Sequence, residues 1–207
     1  LLAGADVKRE GMVATSFDVA VAKFNRSHFP DNQLDQIVEL TTGLEAILSG
    51  GEADNDALSL RLRTRAAALL STPDDPPTAI FNDVNMLYGM RSKLVHGGQI
   101  KESELRKLTT RVSTIPQDAM FGVAIAHAVD RLRDLVRRSI LARLCLASGP
   151  TPLWPFSNTT PIDSLMVDPA TTELWKSAIV SRLTDIGAAE AFGRPRAAVW
   201  HFSKEDR

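Results

Sequence analysis

Residues 80–98 read IFNDVNMLYGMRSKLVHGG, and this stretch predicts a helix that carries a single charge within its apolar face. On a wheel of about 100° per residue, Arg91 falls near the centre of that face. The face is formed by Ile80, Val84, Leu87, Leu94 and Val95. A guanidinium in this position cannot simply be solvated, so it must snorkel, pair with an acid or face an open cleft.

A second stretch, LDQIVELTTGLEAILSGGE at residues 34–52, has the opposite charge in the equivalent place. Glu45 lies within an apolar face formed by Leu34, Val38, Thr41, Leu44 and Leu48. We therefore expect Glu45 and Arg91 to meet. A buried ion pair adds little net stability compared with an apolar pair, so its presence suggests that Glu45 positions the Arg91 fork. A purely structural ion pair is the alternative.

The rest of the chain predicts an all-α fold, because apolar residues recur at spacings of three and four and β-branched alternation is rare. We expect helices at about residues 15–28, 32–49, 57–70, 77–96, 101–112, 116–147 and 169–192. Pro116 suits the first position of the long helix. Residues 1–147 then form a helical domain, and residues 148–207 form a loop, a helix and a tail that pack on this bundle.

Composition narrows the class of protein without assigning a function. The net charge of −1 gives no global basic field, although a local basic patch remains open. One cysteine, Cys145, excludes a disulfide scaffold and suits a reducing cytoplasm. The longest apolar runs are too short to span a bilayer, so no membrane partner is expected. The four histidines lack the spacing of metal ligands, so we expect neither metal nor cofactor.

His96 follows Arg91 by five residues, a rotation of about 140° on an ideal helix, so the two side chains do not share a face. They converge on one ligand in either of two ways. The helix unwinds at Gly97 and Gly98 and swings His96 round, or a second copy of the helix brings its own pair opposite. The alternative is that His96 is only a cation favoured by the helix dipole.

Taken together, RSKLVHG at 91–97, LEAIL at 44–48 and LRTRAAALL at 62–70 resemble HEPN domains, all-α modules named for higher eukaryotes and prokaryotes. The order and spacing of these blocks are similar to those of the Apea-like HEPN subgroup, which is associated with abortive phage infection. The resemblance covers roughly residues 34–147 and includes the R-x4-6-H motif of the family.

This resemblance implies a HEPN-type helical bundle that acts as a homodimer and cleaves RNA without a metal, in bacterial antiviral defence. Arg91 would bind the scissile phosphate, and His96 would move the proton as the ribose 2′-hydroxyl attacks. Ser92 stands where active members often carry Asn, Asp or His. The alternative is therefore a catalytically silent module for dimerisation, regulation or RNA binding. An upstream sensor domain or an antitoxin is a further expected partner, and nothing indicates specificity for DNA.

Four other residues are candidates for supporting or substrate-binding roles. Arg61 shares a helix side with Arg65 and could extend a phosphate-binding surface, although a solvated face is the alternative. Arg65 is expected to tie to Glu45 or to a nearby carbonyl. Lys93 could contact an RNA backbone or be plain surface, and Tyr88 could stack a base or pack in the core. The basic run DRLRDLVRRSILARL at 130–144 is typical of an amphipathic helix with a charged outer face.

Overall fold

The computed structural model describes residues 14–29, 32–49, 57–96, 100–148, 153 and 162–193. Across these residues the secondary structure is helical, with no strand, which confirms the all-α prediction. The helices are α1 (Ser16–Arg26), α2 (Gln33–Ser49), α3 (Leu58–Leu70), α4 (Pro77–His96), α5 (Glu102–Thr109), α6 (Phe121–Ala147), α7 (Ile162–Met166) and α8 (Pro169–Asp185), followed by a 3₁₀ turn at Ala189–Phe192.

Several helix starts follow from local side-chain chemistry. Thr15 caps α1 through a reciprocal pair of bonds: its hydroxyl accepts from the Asp18 amide at 3.1 Å, and the Asp18 carboxylate accepts from the Thr15 amide at 2.9 Å. Asp168 caps α8 by accepting from the Thr171 amide at 3.1 Å, and a proline occupies the first turn. These caps satisfy amides that would otherwise lack a helical partner.

The core lies around α2 and α6, which pack against each other. α2 also contacts α1, α3 and α4, and α6 also contacts α1, α3, α5 and α8. Leu40, Leu44 and Ile47 of α2 are almost fully buried, as are Leu132 and Leu135 of α6. The site helices α2 and α4 are therefore positioned by a common apolar core, which fixes Glu45 opposite Arg91.

Two expected boundaries are wrong. α6 begins at Phe121 rather than at Pro116, because the preceding segment is an irregular connection that buries Val112 and Ile115. α8 ends at Asp185 rather than continuing to Phe192. Gly187 has φ +69°, a left-handed conformation that stops a right-handed helix.

The described part of the C-terminal region packs on the helical bundle. α7 contacts α3, and α8 contacts both α3 and α6. Trp175, Ile179 and Leu183 of α8 are buried in the same core as the preceding helices. The expected tail at residues 194–207 and most of the expected loop lie outside the described residues, as do the glycine pairs at 50–51 and 97–98. None of the described helices is long and apolar enough to cross a membrane.

Candidate functional site

Arg91 lies on α4 beside Glu45 of α2, as the two apolar faces predict. The Arg91 Nη2 atom is 3.9 Å from Glu45 Oε2, and the two side chains are 23% and 16% exposed. This separation permits electrostatic attraction but exceeds an ordinary hydrogen bond. The guanidinium is therefore held by the field of the carboxylate while part of the side chain reaches solvent.

The polar atoms of this ion pair are incompletely satisfied. Glu45 Oε1 and Arg91 Nε are buried, and neither has a hydrogen-bond partner among the described residues. Burial raises the pKa of the Glu45 carboxyl above its usual range, although the Arg91 charge and the Tyr88 hydroxyl oppose that shift. A buried carboxylate with an unused acceptor is poorly stabilised in its charged form.

Tyr88 completes the cluster formed with Glu45 and Arg91, which we call the Glu45–Arg91 site. The Arg91 Cζ atom is 5.9 Å from the centre of the half-buried Tyr88 ring, near the limit of a cation–π contact. Burial raises the pKa of the Tyr88 hydroxyl, and the negative charge of Glu45 adds to that shift. Tyr88 is thus engaged with the ion pair rather than standing free on the surface.

His96 is the last residue of α4 and is exposed. Because α4 stays helical through His96, the imidazole keeps the angular separation from Arg91 that the helix imposes. A single chain therefore does not present the two groups on one face of α4. Val95, expected in the core, is instead 47% exposed beside His96, whereas Ile80, Val84, Leu87 and Met90 are buried.

Ser92 and Lys93 lie between these two residues. Ser92 is half-buried. The Lys93 ammonium donates to Glu104 Oε2 of α5 at 2.7 Å, with side chains 41% and 45% exposed. This surface ion pair is readily opened by competing anions, because exposed pairs contribute little stability. Lys93 is thus already paired with Glu104.

The carboxylate near both Arg65 and Arg61 is that of Asp163. Arg65 is buried and donates to both carboxylate oxygens of Asp163 at 2.7 and 2.9 Å and to the Leu48 carbonyl at 3.0 Å. The expected carbonyl is present, and the carboxylate is Asp163 rather than Glu45. Arg61 Nε lies 3.8 Å from the same Asp163 carboxylate. Both arginines therefore help to hold α7 against α3.

Sequence reasoning missed a buried ion cluster, formed by Asp75, Asp83, Arg131, Asp134 and Arg138. Arg131 donates to the two oxygens of Asp75 at 2.8 and 2.9 Å and to Asp83 at 2.9 Å. Arg138 donates to Asp75 and, at 2.8 Å, to the Leu70 carbonyl. These contacts join the turn after α3 to the middle of α6.

The buried ion cluster holds three carboxylates and two guanidinium groups, and Arg137, whose Nη2 lies 2.7 Å from Asp134 Oδ1, adds a third positive charge. Burial would raise the pKa of Asp75, but hydrogen bonds and charge from Arg131 and Arg138 outweigh it and lower that pKa below its usual range. The expected solvated outer face on residues 130–144 is therefore wrong at Arg131 and Arg138, whose side chains are 1% and 0% exposed. Arg131 and Arg138 are seven residues apart, which places both on one face of α6, and this spacing could have predicted that they share partners.

Other α6 arginines reach chain connections. Arg133 donates to the Ser27 carbonyl between α1 and α2, and Arg137 donates to the Ala191 and Gly193 carbonyls near the end of the described chain. Arg143 is buried and donates to the Ile47 carbonyl at 3.3 Å. These side chains join α6 to α2 and to two irregular segments of the chain.

Within the described ranges, no group of three or more His, Cys, Asp or Glu side chains could hold a metal ion. Comparisons of the chain with models of known protein families, with curated proteins and with solved structures found no match.

Proposed function

We propose that the protein is a HEPN-type effector that acts on RNA, with Arg91 and His96 from two protomers lining one cleft. The observation that carries the proposal is the state of Arg91. The Arg91 side chain is 23% exposed, and its Nη2 atom lies 3.9 Å from Glu45 Oε2, which is beyond hydrogen-bond distance, whereas its Nε is buried. A guanidinium with spare donors is suited to a phosphodiester, whose oxygens match its planar fork.

A second protomer would bring together the two groups that one helix separates. Arg91 and His96 of one α4 point in directions about 140° apart, so a single copy does not bring both to one phosphate. A symmetric dimer across α4 supplies each group twice. The exposed Val95, which lies between them in sequence, is an apolar side chain that such an interface would cover.

In the proposed reaction, the ribose 2′-oxygen forms a bond to phosphorus and the bond between phosphorus and the 5′-oxygen breaks. His96 of one protomer accepts the 2′-hydroxyl proton, and the imidazole of the second protomer donates a proton to the leaving 5′-oxygen. The products are a 2′,3′-cyclic phosphate and a 5′-hydroxyl. Arg91 stabilises the charge that develops on the phosphate oxygens.

The test is incubation of the purified protein with total RNA in the presence of EDTA. Arg91→Ala and His96→Gln are expected to lower cleavage at least about 100-fold, the lower range for loss of a catalytic proton-transfer group. Arg26→Ala and His28→Gln alter an exposed arginine and histidine away from α4 and serve as matched controls. Cleavage that survives both site substitutions contradicts the assignment.

A second candidate is a silent module for dimerisation or RNA binding, and it is favoured by the Glu45 carboxylate that already occupies one side of Arg91. Both candidate functions include a homodimer, but only the nuclease cleaves RNA. RNA binding without cleavage, together with a dimer in sedimentation equilibrium, supports the silent module. Cleavage by wild type and its loss in both site variants supports the nuclease.

A further inference from the structure

We infer that Glu45 is a positioning residue that takes up a proton when a phosphodiester replaces it as the partner of Arg91. The inference rests on the proposed function, since it takes Arg91 as the phosphate-binding group. It adds a regulatory property of that site: the affinity for RNA depends on pH through a residue that never touches RNA.

The first step is the geometry of the pair. The Glu45 side chain is 16% exposed, whereas the Arg91 side chain is 23% exposed, and Arg91 Nη2 lies 3.9 Å from Glu45 Oε2. Glu45 Oε1 is buried and has no hydrogen-bond partner among the described residues. The carboxylate therefore depends on the electrostatic attraction of Arg91 more than on hydrogen bonds to keep its charge.

The second step is that Arg91 is the cation that acts on Glu45. Burial raises the Glu45 pKa, and Arg91 is the positively charged group that lowers it; Tyr88 of the same helix acts in the same direction. Other cations on helices packed against α2 contact different acceptors: Arg65 the Asp163 carboxylate, Arg143 the Ile47 carbonyl and Lys23 the Glu39 carboxylate. Loss of Arg91 as a partner thus leaves Glu45 without a comparable replacement.

The third step is the sign of the linkage. A phosphodiester bound to Arg91 compensates the guanidinium charge and adds a negative charge nearby, so the Glu45 pKa is higher in the complex than in the free protein. Affinity is then constant below the free-state pKa, falls as pH rises between the two values, and is constant again above the bound-state pKa. Since burial already raises the free-state pKa, this window begins above the usual range of a glutamate.

Neighbouring groups set the design of the experiment. His96 belongs to the same proposed site, so His96→Gln is used as the background for every variant and the measurement reports on Glu45 and Arg91. Glu104 does not interfere, because the hydrogen bond from Lys93 lowers the Glu104 pKa and keeps this carboxyl charged across the range. The probe is a fluorescent 2′-O-methyl RNA oligonucleotide, whose blocked 2′-oxygen cannot attack phosphorus.

Binding is measured by fluorescence anisotropy from pH 5.0 to 8.0 at constant ionic strength. In the His96→Gln background, affinity is expected to fall about tenfold from pH 5.0 to pH 8.0, because RNA binding favours the protonated form of Glu45. Adding Glu45→Gln should make the affinity independent of pH and at least equal to the low-pH value. Isothermal titration in two buffers of different ionisation enthalpy should show proton uptake that Glu45→Gln abolishes.

The outcomes separate this inference from the proposed function. A pH dependence and proton uptake that persist unchanged with Glu45→Gln overturn the role of Glu45, while the RNA site stands. Affinity that is unchanged by Arg91→Ala, or no binding by wild type, overturns the RNA site and the inference with it. Circular dichroism of each variant excludes misfolding, and Glu45→Asp, which keeps the carboxylate, should retain the pH dependence.

Discussion

Replacing Asp75 with asparagine removes one negative charge from the buried ion cluster while preserving the size of the side chain. Asp75 is fully buried and accepts hydrogen bonds from Arg131 at 2.8 and 2.9 Å and from Arg138. Asparagine offers one acceptor oxygen and no charge, so both guanidinium groups lose part of their compensation. We therefore expect a less stable fold with the same helical content.

The expected loss in the free energy of unfolding follows from the burial of Asp75, Arg131 and Arg138. Breaking a buried ion pair by removing one partner costs about 3–5 kcal/mol. Asp83 and Asp134 still contact Arg131, so we expect a loss near the lower end, about 3 kcal/mol. Urea unfolding followed by circular dichroism measures this loss. With a slope of about 2 kcal/mol per molar, the midpoint should fall by about 1.5 M.

The neighbouring residue supplies the control. Asp74 precedes Asp75 in the same turn but is exposed, so Asp74→Asn should change stability by less than about 0.5 kcal/mol. If Asp75→Asn and Asp74→Asn shift the midpoint equally, the buried ion cluster does not stabilise the fold as argued. A changed slope would instead indicate that the substitution alters the surface exposed on unfolding.

Two further predictions concern packing of the helices. Arg65→Met removes the hydrogen bonds to Asp163 and Leu48 and should lower the free energy of unfolding by about 1–3 kcal/mol. Amide exchange in α7, measured by hydrogen exchange with mass spectrometry, should become faster. Exchange in α7 equal to that of wild type would contradict this. The Cβ of Gly89→Ala meets only ordinary contacts, so this substitution should raise the thermal midpoint by stabilising the fold by about 0.5–1 kcal/mol. The Cβ of Gly43→Ala lies 3.2 Å from a side-chain atom of α1, so this substitution should lower the thermal midpoint. Equal shifts for the two glycines would contradict the close approach of α1 and α2.

Seven of the eight described α-helices and the central ion pair were accessible from sequence because they depend on local pattern, whereas α7 was not predicted. Pro77 and the apolar spacing gave α4 its bounds, and an acid and a base on two apolar faces predicted the contact between Glu45 and Arg91. The carbonyl partner of Arg65 was also expected. Whether these residues act on RNA, and whether the chain forms a dimer, stay predictions.

The remaining features depend on tertiary contacts that a single helix does not reveal. Ser113 donates through its amide and its hydroxyl to Asp83, each at 2.7 Å, and this holds the segment before α6 in an irregular conformation despite Pro116. Arg131 and Arg138 resemble surface residues on a helical wheel. They are buried because α6 is covered on several sides, and their acids come from separate parts of the chain.

The arginines of α6 that reach the turns between other helices also set a temporal constraint on biosynthesis. Asp75, in the turn at 72–75, can pair with Arg138 only after residue 138 has emerged from the ribosome. The Ser27 carbonyl can likewise accept its hydrogen bond from Arg133 only after residue 133 has emerged. A nascent chain that ends before these positions can form helices, but the turns at 72–75 and at Ser27 still lack their hydrogen-bond partners. Synthesis of α6 must therefore be complete through these positions before the two turns gain their side-chain partners.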